Sequence, residues 1–342
     1  MPPDGADAPP VRSPLLCWVA MLSAALALIG AVVYGSADFL GGLAARRLRS
    51  IVVTAVAALS GLVALALVQP LVGGAWRAAD VAWGVLAGII GVVAVALLYA
   101  CLAIGPMSIL SPLTAVVSAI APMLWGLLVK GDALAPIGYA GLAVALVAVV
   151  LVGFIPGEKI VRPNPRGLVM AVGAGLAIGA FLIVVDQTSA DSGLVPLVTS
   201  RATSGVVTVV VVGILALMAV RRGAPARSVL AVAGPPLGAM PSGHADLEHA
   251  DLEHAGESGR ITTTLRRAWT LAILCGIADA AANALMLLAL RSGDLAVVSA
   301  LTALYPAGTI LLAAIVLRER VAAIQWVGLG LALAAGGMLA VA

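Results

Sequence analysis

Charge is what this sequence has least of. Asp, Glu, Lys and Arg make up 10% of 342 residues, against roughly 25% in a soluble domain. Too few charges are present to coat a water-facing surface of that size. The net charge is only +3, a balance better explained by basic loops beside an anionic membrane surface than by nucleic-acid binding, so no nucleic-acid partner is expected. Cysteine is scarce too. Cys17, Cys101 and Cys275 all fall inside apolar runs, where they read as small packing residues and exclude a disulfide framework. The three histidines, His244, His249 and His254, sit together in one polar stretch. At that five-residue spacing, successive side chains on a helix diverge by about 140°, a poor arrangement for a metal. No G-x-x-x-x-G-K-[ST] loop is present, so the chain has no ATP site of this kind. No metal and no cofactor are expected. An intramembrane enzyme would need clustered His, Ser or paired acids at depth, and the acids here are scattered, so the chain is not expected to be an enzyme.

What is present in abundance is apolar residue: 62% of the chain, at a mean hydropathy of +1.15. It comes in runs of about 20 residues, the length of helix that crosses a hydrocarbon core of about 30 Å. The run Ala133–Ile155 is apolar on every face, without the short-period alternation of a transmembrane β-strand. The expected fold class is therefore an all-α membrane protein of about ten transmembrane helices, in contact with the lipid bilayer. Spans are expected at 15–42, 51–72, 81–104, 107–129, 133–155, 167–186, 195–220, 268–290, 295–317 and 321–342. Residues 1–14 read as a disordered Pro-rich tail. The apolar run 15–45 is too long for a signal-peptide core and reads as a retained first helix. Residues 156–166 (PGEKIVRPNPR) form a linker, and 221–266 is a polar loop insertion.

A shift of 187 residues reveals an internal repeat. Asp132, Ala135, Ile137, Tyr139, Gly141, Leu142, Ala145, Leu146 and Ala148 fall on Glu319, Ala322, Ile324, Trp326, Gly328, Leu329, Ala332, Leu333 and Ala335. Two halves of five helices, 15–155 and 167–342, follow. An odd number of spans per half means that the second half enters the membrane from the opposite side. Such inverted repeats recur in secondary transporters, with the substrate site where the halves meet.

Several stretches carry a family resemblance: Tyr34–Gly42 (YGSADFLGG), Gly105–Pro122 (GPMSILSPLTAVVSAIAP), Gly276–Leu290 (GIADAAANALMLLAL) and Leu301–Leu317 (LTALYPAGTILLAAIVL) running into Arg318-Glu319-Arg320. In their order across two halves, the chain resembles the EamA-type ten-helix permeases of the drug/metabolite transporter superfamily. Gly131-Asp132 stands where Gly-Glu is common in such permeases, a change that keeps the acid. The resemblance implies a permease or exporter of small metabolites, amino acids or drugs in the plasma membrane, with a small-molecule substrate as partner. The alternative is a non-transporting scaffold or sensor whose partner site is the 221–266 loop.

Charged groups at the bilayer centre cost about 2.5–3.5 kcal/mol on insertion scales, so each needs a reason. Asp38, late in the first span, reads either as an acid facing a pathway for a cation or proton or as a helix-end acid reaching interfacial water. Asp279 and Asn283 share one face of the eighth span and read as a polar stripe toward a central cavity. Proton coupling through Asp38 or Asp279 is a further expectation. Arg201 lies early in the seventh span, close after Asp186 and Asp191, and reads first as an interfacial anchor or ion pair near a helix end; it is also a candidate for the cavity. Tyr34, Tyr99 and Tyr305 suit a cavity wall or an interfacial belt. Pro306, like Pro112 and Pro122, removes a backbone donor within a span, a break tolerated where backbone faces protein or a cavity. Gly84/Gly88 and Gly175/Gly179 have the spacing of close helix contacts. Asp132 and Glu319 read as loop ion pairs or caps.

Alternating sides, the loops at 46–49, 156–166, 221–267 and 318–320 hold 3, 3, 6 and 2 Lys or Arg, or 14 of the 19 in the chain. The positive-inside rule then puts the long loop in the cytoplasm and both termini outside. The family resemblance favours cytoplasmic termini instead.

Overall fold

The structure, a computed structural model, describes residues 14–45, 47–102, 107–153, 165–230, 265–317 and 322–341. The N-terminal tail, most of the 156–166 linker, the histidine-bearing part of the polar loop and Glu319 lie outside the described residues. Those described are all-helical, without strands. Helices α1 (Pro14–Ala45), α2 (Ser50–Val72), α3 (Ala78–Leu102), α4 (Met107–Trp125) and α5 (Pro136–Val152) make up the first half. Helices α6 (Pro165–Asp186), α7 (Val195–Arg221), α8 (Leu265–Ser292), α9 (Leu295–Thr302), α10 (Tyr305–Leu312) and α11 (Ala323–Ala340) make up the second. Nine segments among the described residues are long and apolar enough to cross a membrane, and α5 is a shorter apolar helix. Helix is the form this sequence must take, because lipid offers the backbone no hydrogen-bond partner and a helix satisfies its own.

The ninth span departs from a single helix. It is broken at Ala303–Leu304, so that α9 and α10 are separate helices within one crossing. Pro306 lies one residue inside α10, buried, where it has no N–H to offer the preceding turn.

The helices meet through small residues, because in lipid close van der Waals approach rather than the hydrophobic effect draws helices together. A Cβ on Gly88 would lie 2.6 Å from the Ser200 carbonyl oxygen of α7, and one on Gly175 would lie 2.7 Å from the Thr114 carbonyl oxygen of α4. The glycines picked out by spacing are thus points of contact.

Packing between the halves is reciprocal. Helix α1 packs on α8 as α6 packs on α3, and α4 packs on α6 as the broken ninth span packs on α1. Likewise α3 packs on α7 and α8 on α2, while α2–α7, α4–α9 and α5–α11 pair counterpart spans. The α5–α11 contact shows the register. A Cβ on Gly141 would meet Met338 and Leu339, and one on Gly328 would meet Leu151 and Val152. The six buried residues of α11, Gln325, Gly328, Ala332, Ala335, Gly336 and Leu339, each lie 187 positions after a buried residue of α5. Both α4 and α10 run into a five-residue π turn, Gly126–Lys130 and Ala313–Leu317, again 187 positions apart. The partner of an α5 residue moves backward along α11 as the α5 residue moves forward, so the two helices run antiparallel.

Candidate functional site

A cavity of about 230 Å³ lies among α1, α2, α3, α4, α6, α7, α8 and the broken ninth span. Its wall is mostly apolar, with Ala57, Val92, Val95, Phe181, Leu182 and Met286 among its residues. Against that wall stand a few polar groups drawn from separate helices: Tyr34 and Asp38 of α1, Arg201 of α7, Asp279 of α8 and Tyr305 at the start of α10.

The local sequence explains how each arrives there. Tyr34 and Asp38 are four apart, hence on one face of α1, as are Asp279 and Asn283 on α8. Asp279 forms an ion pair with Arg201 across the α7–α8 boundary. Asn283 is fully buried. Its side-chain N–H donates to the Asp279 carbonyl oxygen at 2.8 Å and to Asp279 Oδ1 at 3.4 Å. That leaves Asn283 Oδ1 to accept from the Tyr34 hydroxyl at 3.0 Å. The Tyr34 and Tyr305 rings lie 6.3 Å apart at 48°, within the range of favourable aromatic pairs. A chain of contacts, Arg201–Asp279–Asn283–Tyr34–Tyr305, thereby joins both halves through the cavity wall. Asn283 supports the cluster from behind, by holding Tyr34 and Asp279.

Tyr34→Phe should therefore cost about 1 kcal/mol, the scale of one net hydrogen bond with a buried acceptor left behind. Thermal unfolding in detergent measures this, and Tyr34→Phe in an Asn283→Leu background should add little.

The helix break at 303–304 faces this space. Thr302, Ala303 and Tyr305 line the cavity, and the buried Thr302 hydroxyl has no hydrogen-bond partner among the described residues. Irregular backbone at membrane depth is expected where it lines a cavity or is buried in protein. Pro306 sits behind Tyr305, in the packed core rather than on the cavity wall. The Tyr99 side chain, and that of Pro112, lie outside the described residues.

Arg201 forms an ion pair, one of its readings, and does so on the cavity wall rather than at a span end. It lies six residues into α7 and is paired with Asp279. The acids beside it in sequence go elsewhere: Asp186 pairs with Lys130 at 2.7 Å, and Asp191 with Arg77 at 3.0 Å. Asp132 acts as a cap, its Oδ2 accepting the Ala296 N–H at 3.1 Å near the start of α9. Sequence reasoning missed Ser118, Ser200, Ser204, Ser299 and Thr302 on the cavity wall. The spacing of Ser200 and Ser204, flanking Arg201 on one turn of α7, was the available signal. It also missed a second polar group at one end of the bundle, built on Gln69, Asp80, Ser189 and Arg291.

This geometry, a small apolar cavity with a few convergent polar groups inside a bundle of membrane-length helices, is that of a multi-pass membrane protein with a candidate small-molecule site. Residues 258–340 match the model of the EamA-like transporter family, in line with the resemblance read from the sequence: the chain carries an EamA-like segment over α8 to α11. A solved structure described only as a crystal structure of a protein is similar in fold, with a TM-score of 0.62 at 13% identity, over 92% of this chain and 97% of that one. No curated protein matches the chain.

Proposed function

We propose that this protein is a secondary transporter that exports small metabolites or amino acids across the plasma membrane by alternating access of two inverted five-helix halves. Substrate binds in the cavity, against Tyr34, Asp38, Arg201, Asp279 and Tyr305, with Asn283 and Pro306 holding those groups in place. The observation that carries the reading is convergence. Polar residues from four separate helices, each costly in lipid, meet at one small cavity beside a broken span. The reciprocal packing of the halves and the antiparallel α5–α11 pair support the inverted repeat, the architecture in which a midplane site is alternately exposed. A volume of about 230 Å³ lies below the roughly 300–1,000 Å³ typical of drug-sized ligands. That favours small metabolites over bulky drugs.

Proton coupling through Asp38 or Asp279 is part of the same reading. Comparing the metabolites in the medium of a deletion strain and its complemented parent should yield the substrate. Flux of that substrate into proteoliposomes is then measured with and without a pH gradient. Transport should fall at least tenfold in Arg201→Gln/Asp279→Asn, a variant that keeps the cluster neutral. Undiminished flux in that variant overturns the site. Flux indifferent to both the gradient and Asp38→Asn or Asp279→Asn overturns the coupling alone.

A further inference from the structure

The turn between α6 and α7 is tied down more heavily than a connecting loop requires. Asp80, at the start of α3, takes two bonds from Ser189: the backbone N–H donates to Oδ1 at 2.8 Å and the hydroxyl to Oδ2 at 2.7 Å. Arg291, at the end of α8, donates through Nη2 to Ser192 Oγ at 2.9 Å, the Gly193 carbonyl at 2.8 Å and the Ser189 carbonyl at 3.3 Å. Gln69, at the end of α2, accepts the Leu194 N–H at 3.1 Å and donates to the Gly73 carbonyl at 3.0 Å. Asp80, Gln69 and Ser192 are all buried. Gly193 sits at φ +55° against the backbone of Gly73 and Gly74, a close approach that a side chain would block.

These ties have a definite place. The ends of α2, α6 and α8 and the starts of α3, α7 and α9 lie on one face of the bundle, and Ser192–Leu197 and Leu295–Leu304 are wholly buried beneath it. The cavity lining stops at Ser200 on α7, below that buried block, but reaches Val53 on α2, three residues from the opposite end of the bundle. At that opposite end, the halves meet through apolar side chains, Ala44, Ala45, Leu48 and Val53 against Ala268 and Ala272. One mouth is closed by directional hydrogen bonds that join α3 and α2 of the first half to the α6–α7 turn of the second. At the other end the contacts between the halves are small and apolar, and the cavity reaches into them at Val53.

We propose that Asp80, Gln69 and Arg291 lock the 189–194 turn over one mouth of the cavity, and that releasing this lock opens the cavity to that face. The proposal rests on the transport reading for its purpose, but its test needs no substrate. Hydrogen bonds of this kind suit a gate, because they hold one arrangement and have no intermediate one. The exposed pair Arg77–Asp191 on the same turn is screened by water and adds little.

Gly91 supplies the probe position. It lines the cavity, and a Cβ there meets nothing within 4 Å. Gly91→Cys is placed in the full chain with Cys17, Cys101 and Cys275 replaced by serine. A membrane-impermeant maleimide is then applied to one face at a time, using spheroplasts and inside-out vesicles whose sidedness is set by a C-terminal tag. The parent should label from the face of the 46–49 loop and resist from the face of the 189–194 turn. Arg291→Gln and Asp80→Asn should each raise labelling from the turn face about tenfold, a population shift of about 1.4 kcal/mol. Arg77→Gln should leave it unchanged, and Arg291→Lys should lie between.

Equal labelling of the parent from both faces, or unchanged rates in folded Arg291→Gln and Asp80→Asn, overturns the lock. If those variants fail to fold, Ala75→Cys/Asp191→Cys, at positions whose backbones are bonded at 2.8 Å and which leave Asp80, Gln69 and Arg291 intact, decides instead in the Gly91→Cys background. Oxidation should then abolish labelling of Gly91→Cys from the turn face below the parent's residual rate and reductant should restore it; a rate unaffected by oxidation of a cross-linked protein overturns the lock. A labelling shift in a protein that moves no metabolite would leave the lock standing and remove the transport reading.

Discussion

Replacing Arg201 by glutamine is expected to destabilise the protein by about 3 kcal/mol, the lower end of the range for stripping a buried ion pair of one partner. The lower end applies because the two side chains keep 19% and 18% exposure. Without Arg201, the Asp279 carboxylate keeps, among the described residues, the long 3.4 Å contact from Asn283 on its Oδ1, in surroundings where an uncompensated charge is expensive. Asp279→Asn should cost a similar amount, because it strands the guanidinium instead. Arg201→Gln/Asp279→Asn should recover most of the loss, since two amides can share a hydrogen bond with no charge to desolvate. The double-mutant cycle, read from thermal unfolding in detergent, should therefore show a coupling of about 2 kcal/mol or more, above the usual range for polar pairs between membrane helices. Additive single losses within about 0.5 kcal/mol would mean that the pair contributes nothing to stability.

The same pair shows where sequence reading stops. Asp279 and Asn283 were legible as a stripe because their spacing places them on one helix face, and no neighbour in sequence explains them. Arg201 was not assignable in the same way. Two acids lie within fifteen residues before it, and helix-end pairing was the local explanation. Only the crossing of α7 over α8 brings it to Asp279 and sends Asp186 and Asp191 to Lys130 and Arg77. Such choices depend on which helices cross, and a one-dimensional pattern of apolar runs does not encode crossing. The lock around Ser189 was hidden for a related reason. Gln69, Asp80 and Arg291 lie far apart in the chain, each near a span end where a polar residue needs no special cause.

The fold was more legible, because its constraints are local and repeated. Length and hydropathy place nearly every span, since any run long enough to cross must be helical. The break at Ala303–Leu304 was only half visible: Pro306 marks a weak point, but the chain parts three residues before it, beside the cavity. The 187-residue shift, read from nine positions around the last helix of each half, also relates the π turns and the buried faces of α5 and α11. Among the matching positions, Gly141, Ala145 and Ala148 of α5 and Gly328, Ala332 and Ala335 of α11 are buried, whereas Leu333 is exposed, so the small residues are the ones that mark the contact. A larger side chain would push the helices apart.

Gly35 is the sharpest instance of that limit, and Gly35→Ala is expected to destabilise the protein by about 2 kcal/mol. A Cβ at Gly35 would lie 2.5 Å from the Thr309 nitrogen and 2.8 Å from the Gly308 carbonyl carbon, and would also strike the Tyr305 carbonyl oxygen. All of these are backbone atoms of α10, so no rotamer change can relieve them. Gly308 faces α1 in turn, where an added Cβ would lie 2.9 Å from the Val32 backbone, and Thr309 Oγ1 donates to the Gly35 carbonyl at 2.9 Å. Relief requires α1 and α10 to separate, which puts the cost at the top of the roughly 1–3 kcal/mol of an overpacked core, less the roughly 1 kcal/mol by which alanine favours a helix over glycine. Gly91→Ala gains the same helical preference and meets no atom, so it should be neutral or up to about 1 kcal/mol more stable. Comparing the two unfolding midpoints in detergent removes the propensity term. Equal midpoints would show that α1 and α10 do not approach so closely. The separation should also cost transport, because Gly35 lies between Tyr34 and Asp38, and α10 carries Tyr305. Moving the two helices apart widens the 6.3 Å spacing of the tyrosine rings and draws Tyr34 away from Asn283, so the stability loss and the fall in flux should track each other across Gly35→Ala and Gly35→Ser.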